Sequence, residues 1–336
     1  MLFDFNEEQY AFREVVRSVL DRHMPASAVR AEWDEPVEGQ GAAWSHLVRL
    51  GVLAMTVPEK FDGLGGTSID LALPLEEIGY HAVTGPVLET AAVAAPVLAR
   101  FAPDDVAAKW LPRIATGDAA FALALDGDGL VSHFAAADAV IVRSGPELHL
   151  VQALSINAES VESMDPTLRM SRCAFDLDRS TLLTEDPDAA DLATQLGTVA
   201  TSSVLVGLSQ RMSDMTRAYL LERQQFGQVI GSFQALKHRM ADVAVATEAA
   251  RGLAWYGSYA AATMLVERAE AAHLAKASAS HAAYLAGSAA LQLHGGIGFT
   301  WEHDLHLWLQ RAKALETLFG SVDEHRDDIA KYVFAH

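Results

Sequence analysis

The chain has 336 residues, of which 51% are apolar and 21% are charged, a composition typical of a globular protein with roughly two or three subdomains. Its net charge of −19 argues against a general nucleic-acid binder, which would need a basic surface. The single cysteine, Cys173, excludes an internal disulfide and a cysteine metal cluster, and no apolar run approaches the ~20 residues of a membrane span.

The first third of the sequence is predicted to be helical. It begins with MLFDFNEEQ, which is acidic where a secretory signal would be basic, so we expect a cytoplasmic protein. Asn6 is a candidate helix N-cap, with Gln9 three positions on. Further helices are predicted over 43–50, 69–81, 90–101 and 103–114, with a loop over 34–42 and turns over 58–67. We therefore predict an N-terminal helical domain over residues 1–118.

The pattern then changes to short β-type runs. Strands are predicted over 121–125, 139–142, 148–151 and 172–175, and the turn residues Ser144, Gly145 and Pro146 separate two of them. These runs predict a small β domain over residues 119–186.

The remaining residues, 187–336, are predicted to form a bundle of long helices. Helices are expected over 189–225, 236–267, 270–293, 303–318 and 321–334. Long antiparallel helices with short connections make a bundle. The predicted fold class is therefore mainly α with a small β domain.

Two short stretches of this bundle carry the strongest signal for a ligand. Arg223 and Phe226 are three positions apart, which predicts that they lie on one side of a last helical turn, before a glycine-rich exit loop. The second stretch, QLHGGIGFT, begins at Gln292 and supplies Gly295 and Gly296, where backbone N–H groups can meet phosphate oxygens. Either stretch alone is more typical of a packed helix end or a plain turn.

Together and in this order, the two stretches resemble the acyl-CoA dehydrogenase flavoprotein family, and the resemblance runs along the whole chain. It implies the family's fold, with an N-terminal helical domain, a middle β-barrel and a C-terminal helical bundle. It also implies FAD as the cofactor. By resemblance, Arg223, Phe226, Gln292, Gly295 and Gly296 hold the ADP half of an FAD that belongs mainly to a neighbouring subunit.

The middle of the chain departs from the family's pattern. In relatives, the first strands of the barrel carry Thr-Glu-Pro and Gly-Ser-Asp, and later a Trp or Phe before Ile-Thr, which bind the flavin ring and the substrate. Here Leu125 is followed directly by DGDGLVSHFAAADAVIV, and the run 139–142 resembles what the family places well after those motifs. The resemblance therefore implies that most flavin-ring contacts are absent.

The family's catalytic base is also missing from both of its customary positions. Acyl-CoA dehydrogenation removes a proton α to the thioester while a hydride leaves the β carbon for the flavin, so a base is required. Alignment on the segment from Arg311 to Lys313 puts Phe319, followed by Gly320, where many relatives have Glu-Gly. The other position lies in 195–207, QLGTVATSSVLVG, which holds no acid.

The side chains near the later position offer weak substitutes. Glu316 and Glu302 are the nearest carboxylates, and each is more typical of a solvated or capping residue. Three nearby histidines lack the spacing of a zinc site, so no metal is predicted; they are His294, His303 and His306.

These losses, with the ADP motif retained, favour the non-catalytic subunit of a heterotetrameric actinobacterial acyl-CoA dehydrogenase. The resemblance implies an α2β2 complex with a catalytic sister subunit that acts on an acyl-CoA. Within the family, it points to the enzymes that act on CoA esters of steroid side chains. Neither nucleic acid nor membrane is an expected partner. Because acyl-CoA is anionic, a local basic patch is expected, but the sequence does not place it.

Two alternatives remain open at this point. The chain is a self-sufficient homotetrameric dehydrogenase if Glu316 serves as a relocated base. It is a scaffold subunit if it has lost FAD altogether.

Overall fold

The computed structural model describes residues 4–35 and 39–334 and confirms a mainly α fold with a small β domain. Residues 36–38 of the predicted loop over 34–42 and the first three residues of the acidic N-terminus lie outside the described residues. The division into domains at 118/119 and 186/187 stays a prediction.

In the N-terminal part, residues 4–35 and 39–118 form six α-helices: α1 Glu7–His23, α2 Ala26–Asp34, α3 Trp44–Leu50, α4 Ser68–Tyr80, α5 Ala95–Phe101 and α6 Asp104–Ala115. The predicted cap of α1 is confirmed, since Asn6 accepts the Gln9 N–H at 2.8 Å and the Gln9 side chain accepts the Asn6 N–H at 2.9 Å. The sequence did not predict α2, because Pro25 precedes it without a side-chain cap. Asp34 ends this helix, so the loop prediction was wrong at that residue.

A buried π-helical segment, Leu88–Ala94, runs directly into α5, so the helix predicted over 90–101 is two segments of different type. Side chains fix this segment to its neighbours. Thr90 Oγ1 accepts the Phe121 N–H at 2.9 Å, and Thr56 Oγ1 donates to the Ala91 carbonyl at 2.5 Å. π-helical segments are rare in proteins, and those that occur are often at functional sites. The side chains of Leu88–Ala94 are therefore candidates for a functional role.

The β domain contains two small sheets. Its strands are β1 Phe121–Ala124, β2 Leu130–Val131, β3 Ala139–Ser144, β4 Glu147–Gln152, β5 Asn157–Ser160, β6 Ser171–Ala174 and β7 Leu182–Thr184. One sheet has the order β1-β3-β4-β7, with β1 and β3 parallel and Phe121 opposite Ala139. The other has the order β2-β6-β5 and is antiparallel.

The C-terminal bundle is built from α7 Pro187–Glu222, α8 Gln234–Ala262, α9 Arg268–His294, α10 Leu305–Leu315 and α11 Val322–Val333, with a hairpin of β8 Gln224–Gln225 and β9 Gln228–Val229 after α7. Among the described residues, α7 is the only helix long and apolar enough to cross a membrane, but 89% of its most apolar segment is buried inside the protein. Such burial is typical of a core helix.

Glycines let α7 cross α4 at close backbone contact. A Cβ atom at Gly207 would lie 1.9 Å from the Glu76 carbonyl oxygen, and one at Gly79 would lie 2.0 Å from the Val204 carbonyl oxygen. Each helix therefore presents a glycine to the other's backbone, and this crossing fixes the N-terminal helices on the bundle.

Candidate functional site

The corner that carries Arg223 and Phe226 is a β-hairpin, and the prediction that both residues lie on a last helical turn was wrong. The helix α7 ends at Glu222, and β8 pairs with β9 in antiparallel fashion. Phe226 and Gly227 at the tip have φ angles of 56° and 79°. Two consecutive positive φ angles are the geometry of a two-residue type I′ hairpin loop.

The hairpin has a fixed backbone and outward side chains. The Arg223 N–H donates to the Tyr219 carbonyl at 2.9 Å, and the Arg223 carbonyl accepts the Ile230 N–H at 2.8 Å. The Arg223 side chain is exposed, and Phe226 is 90% exposed, with an edge-on contact to Phe233 at 6.2 Å between ring centroids. A phenylalanine held at positive φ with its ring mostly in solvent is a strained arrangement that an edge contact with one ring does little to offset, which supports a contact outside the chain.

The second motif lies at the end of α9 and is open to solvent. Gly295 has φ 64° and ψ −142°, a conformation that essentially only glycine adopts. No atom lies within 4 Å of a Cβ position at Gly295 or Gly296. Gln292 is also exposed, so this backbone is accessible to a ligand or to another chain.

The structure brings the two motifs to the same end of the bundle. The Tyr219 ring near the end of α7 stacks on the His294 ring at the end of α9, with centroids 4.6 Å apart and planes 24° apart. An exposed cation, an aromatic ring and open glycine backbone are groups that suit the phosphates and the flat base of an ADP moiety. The residues present therefore fit the nucleotide half of FAD.

An aromatic ring lies at the residue that the family resemblance predicts for the later base position, Phe319. Phe319 is 5% exposed, and its ring atoms lie 2.6, 2.7 and 2.9 Å from a Cβ position at Gly197 on α7. Gly197 belongs to the stretch 195–207, where the resemblance puts the earlier base position. The Phe319 ring, at the later position, therefore packs against the earlier one. Neither residue accepts a proton.

A cleft of about 740 Å³ adjoins Phe319, between the loop after β1 and the bundle. Burial, together with the nearby charge of Asp128, raises the pKa of Asp126, while the adjacent Phe319 backbone acts in the opposite direction. The cleft carries more acidic than basic side chains; the acidic ones are Asp126, Asp128, Asp191, Glu324, Asp327 and Asp328, and the basic ones are Arg143 and Lys331. This negative surface disfavours a phosphate-bearing ligand, so the cleft does not suit the phosphates of a flavin nucleotide or of an acyl-CoA.

Glu316, the substitute base, lines a different cavity, of about 610 Å³, which Phe319 does not line. Its carboxylate accepts a hydrogen bond from Lys313 Nζ at 2.6 Å. Its backbone carbonyl accepts from the buried Lys276 Nζ at 3.0 Å. Glu316 is thus ion-paired with Lys313 and lies outside the cleft that Phe319 lines.

The three histidines make backbone contacts. Nδ1 of His294 lies 2.8 Å from the Ala290 carbonyl oxygen, Nδ1 of His306 lies 2.8 Å from the His303 carbonyl oxygen, and Nδ1 of His303 accepts the Leu305 N–H at 3.1 Å. Within residues 4–35 and 39–334, no group of three or more His, Cys, Asp or Glu side chains is placed to hold a metal ion.

The sequence did not predict a buried polar cluster where the N-terminal helices, the β domain and the bundle meet. Glu89, from the π-helical segment, accepts a hydrogen bond from Ser132 Oγ at 2.9 Å, and burial raises the pKa of Glu89 to about 7. Burial, together with the charge of Arg311, lowers the pKa of the adjacent His133 to about 3. An isolated acid inside the apolar run LETAAVAA was the available signal.

Arg311 joins this cluster from α10. Its guanidinium donates to Asp165, to Thr167 and, at 2.8 Å, to the Val83 carbonyl. Arg311, the residue from which the alignment identified Phe319, therefore links α10 to the N-terminal helices and to the β domain.

Comparison with known proteins gives two family matches. The family model described as "Acyl-CoA dehydrogenase, N-terminal domain" matches residues 6–118, and "Acyl-CoA dehydrogenase, C-terminal domain" matches residues 190–334. The chain is 35% identical over 319 residues to acyl-CoA dehydrogenase IpdE2 of Mycobacterium tuberculosis, covering 95% of both chains. It is 33% identical over 332 residues to IpdE2 of Mycolicibacterium smegmatis, covering 98% of this chain and 100% of the relative.

Solved structures show the same fold at low sequence identity. A chain of the ChsE4-ChsE5 complex from Mycobacterium tuberculosis matches with a TM-score of 0.90 at 22% identity, covering 99% of both chains. A chain of the Tcur3481-Tcur3483 steroid ACAD matches with a TM-score of 0.87 at 24% identity, covering 97% of this chain and 98% of that one.

Proposed function

Because the chain belongs to the acyl-CoA dehydrogenase family, whose members are FAD-dependent flavoproteins, we propose that it is the non-catalytic subunit of a heteromeric acyl-CoA dehydrogenase. The observation that carries the proposal is the Phe319 ring packed on Gly197, where a base is required. A catalytic sister subunit supplies that base. The pair of chains oxidises an acyl-CoA at its α,β bond.

The contribution of this chain is to hold the ADP half of the sister subunit's FAD. Arg223 pairs with the phosphates, and Phe226 packs on the nucleotide. The exposed backbone at Gln292, Gly295 and Gly296 contacts the nucleotide. FAD, when bound, supplies the hydride acceptor. The acidic cleft beside Phe319 supports this division, because a negative surface in this chain's own cleft repels the phosphates of flavin and CoA.

Exposed apolar side chains support a partner at the same end of the molecule. Phe299 and Trp301 follow the glycine motif and are 73% and 64% exposed, and Tyr284 lies beside them in the same cavity. Such a group of exposed rings is typical of a surface that another protein covers. Two structural neighbours are named as complexes of two different chains, and one as a steroid ACAD. We extend the proposal to an α2β2 assembly and to CoA esters of steroid side chains.

The first test compares the chain purified alone with the chain purified together with its sister subunit. Flavin and acyl-CoA-dependent bleaching are expected only in the complex. Stoichiometric yellow flavin that acyl-CoA bleaches in the chain alone would support the self-sufficient enzyme instead, with Glu316 as its base.

The second test is Arg223→Ala in the complex. Loss of a charge-assisted phosphate contact is expected to weaken FAD binding by about 2 to 4 kcal/mol, seen as flavin lost on gel filtration. Arg217→Ala is the matched control, since Arg217 is exposed on α7 outside the hairpin. Unchanged flavin content in Arg223→Ala would favour the flavin-free scaffold.

A further inference from the structure

The C-terminal helix α11 is anchored by a titratable side chain. His325 is the only buried residue in Val322–Val333, and the other side chains of the helix are half-buried or exposed. A surface helix ordinarily docks through a stripe of apolar residues. The attachment of α11 to the bundle therefore depends unusually strongly on one imidazole.

That imidazole forms a hydrogen bond with a second one. Nδ1 of His325 lies 2.8 Å from Nδ1 of His273 on α9. One nitrogen must donate and the other must accept, so the bond cannot survive when both rings are protonated. His273 Nδ1 also lies 3.7 Å from an Asp328 carboxylate oxygen, and Nε2 of His325 is buried without a partner among the described residues.

Burial keeps the pair mainly neutral near pH 7. Burial is the main cause that lowers the pKa of His325, to about 4, and Lys276 and His273 lower it further. Burial also lowers the pKa of His273, while Asp328 acts in the opposite direction. The charged and titratable groups that face the pair and the buried lysine beside it are Lys276 from α9, Glu324, Asp328, Lys331 and Tyr332 from α11, Asp126 from the loop after β1, and Glu316 from the end of α10.

The loop that carries Phe319 is held from α9 and from α11. Lys276 Nζ donates to the Glu316 carbonyl at 3.0 Å and to the Gly320 carbonyl at 2.9 Å. The His325 ring lies against Gly320, where a Cβ would come within 3.0 Å of Nε2. Side chains of α11 also form one wall of the acidic cleft. Release of α11 would therefore loosen the loop and open the cleft together.

We propose that His273 and His325 form a proton-operated latch, which releases α11 from α9 and opens the acidic cleft when the imidazoles become protonated. The latch is a property of this chain alone and does not rest on the proposed function.

The direction of the pH dependence follows from the linkage between proton binding and the docking of α11. A histidine whose pKa is lower in the docked state than its ordinary ~6.5 takes up a proton more readily when released. The docked form is therefore fully favoured above about pH 6.5 and is lost as pH falls toward about 4. For His325 alone, the equilibrium between docked and released helix shifts about 30-fold toward release between about pH 7.5 and about pH 5.

Hydrogen exchange measured by mass spectrometry on the full chain tests the latch, with rates corrected for the intrinsic effect of pH. Protection of residues 316–334 is expected to fall about 30-fold between about pH 7.5 and about pH 5, while α8 keeps its protection. In His273→Asn/His325→Asn, which keeps polar groups near both Nδ1 positions, protection should not change with pH. His281→Asn is the matched control, because His281 is exposed on α9, and should behave as the wild type.

Three results would overturn the latch. One is wild-type protection of 316–334 that does not change with pH, and another is an equal fall in the double variant. The third is loss of protection by all helices at once, which would indicate global acid unfolding. If the double variant does not fold, His325→Asn alone decides, because it removes the group to which the 30-fold shift is assigned; a wild-type response in it would also reject the latch.

Discussion

The carboxyl of Glu89 is enclosed where three parts of the chain meet, and its protonation couples folding to pH. Burial raises its pKa from 4.5 to about 7, so the folded chain keeps this proton over a range where the unfolded chain releases it. Stability contributed by the neutral form is therefore present below about pH 4.5 and is lost as pH rises to about 7.

Glu89→Gln should remove this pH dependence while it keeps an acceptor for the Ser132 hydroxyl. We expect the unfolding free energy of the variant to exceed that of the wild type by about 2 to 4 kcal/mol at about pH 8. This difference in unfolding free energy should become smaller toward about pH 5. Urea unfolding at both pH values measures it. Glu222→Gln is the control, since Glu222 is exposed at the end of α7. A difference in unfolding free energy that is the same at both pH values would contradict a raised pKa at Glu89.

At the scale of elements, the crossing of α4 and α7 depends on the absence of side chains at two glycines. Gly207→Ala would place Cβ 1.9 Å from the Glu76 carbonyl oxygen, and backbone cannot move away as a flexible side chain can. We expect a loss of about 2 kcal/mol or more. Gly252→Ala on α8 is the opposite control, because no atom lies within 4 Å of its Cβ position. That change should stabilise the chain by about 0.5 to 1 kcal/mol. Equal unfolding midpoints for the two variants would argue against the crossing.

The sequence predicted elements well where a pattern is local. The helix predicted over 189–225 is α7, with ends displaced by two or three residues, since its apolar stripe is visible in the sequence. All four residues of β5 are exposed, so no alternation revealed that strand. The hairpin at Phe226 requires positive φ at a phenylalanine, which no propensity signals. The contact of Phe319 with Gly197 joins distant parts of the chain, so alignment could identify each position but not their packing.

At the scale of the whole molecule, the proposed division of labour sets the number of flavins. If each copy of this chain holds one ADP half and presents no flavin cleft of its own, an α2β2 assembly binds two FAD rather than four. Native mass spectrometry, with released flavin quantified by absorbance, checks this ratio. Four FAD per assembly would show that this chain also holds a complete flavin. Arg217→Ala should leave the ratio unchanged.

The packing of Phe319 on Gly197 has an evolutionary consequence. A glutamate placed at this position would be buried against Gly197 beside Asp126, so Phe319→Glu should cost about 3 kcal/mol or more in unfolding free energy. It should also give no bleaching of flavin by acyl-CoA in the chain alone, and bleaching there would refute this reasoning. Gain of a base by one mutation would thus be selected against before any activity appeared. Two subunits that divide the site in this way would remain dependent on each other.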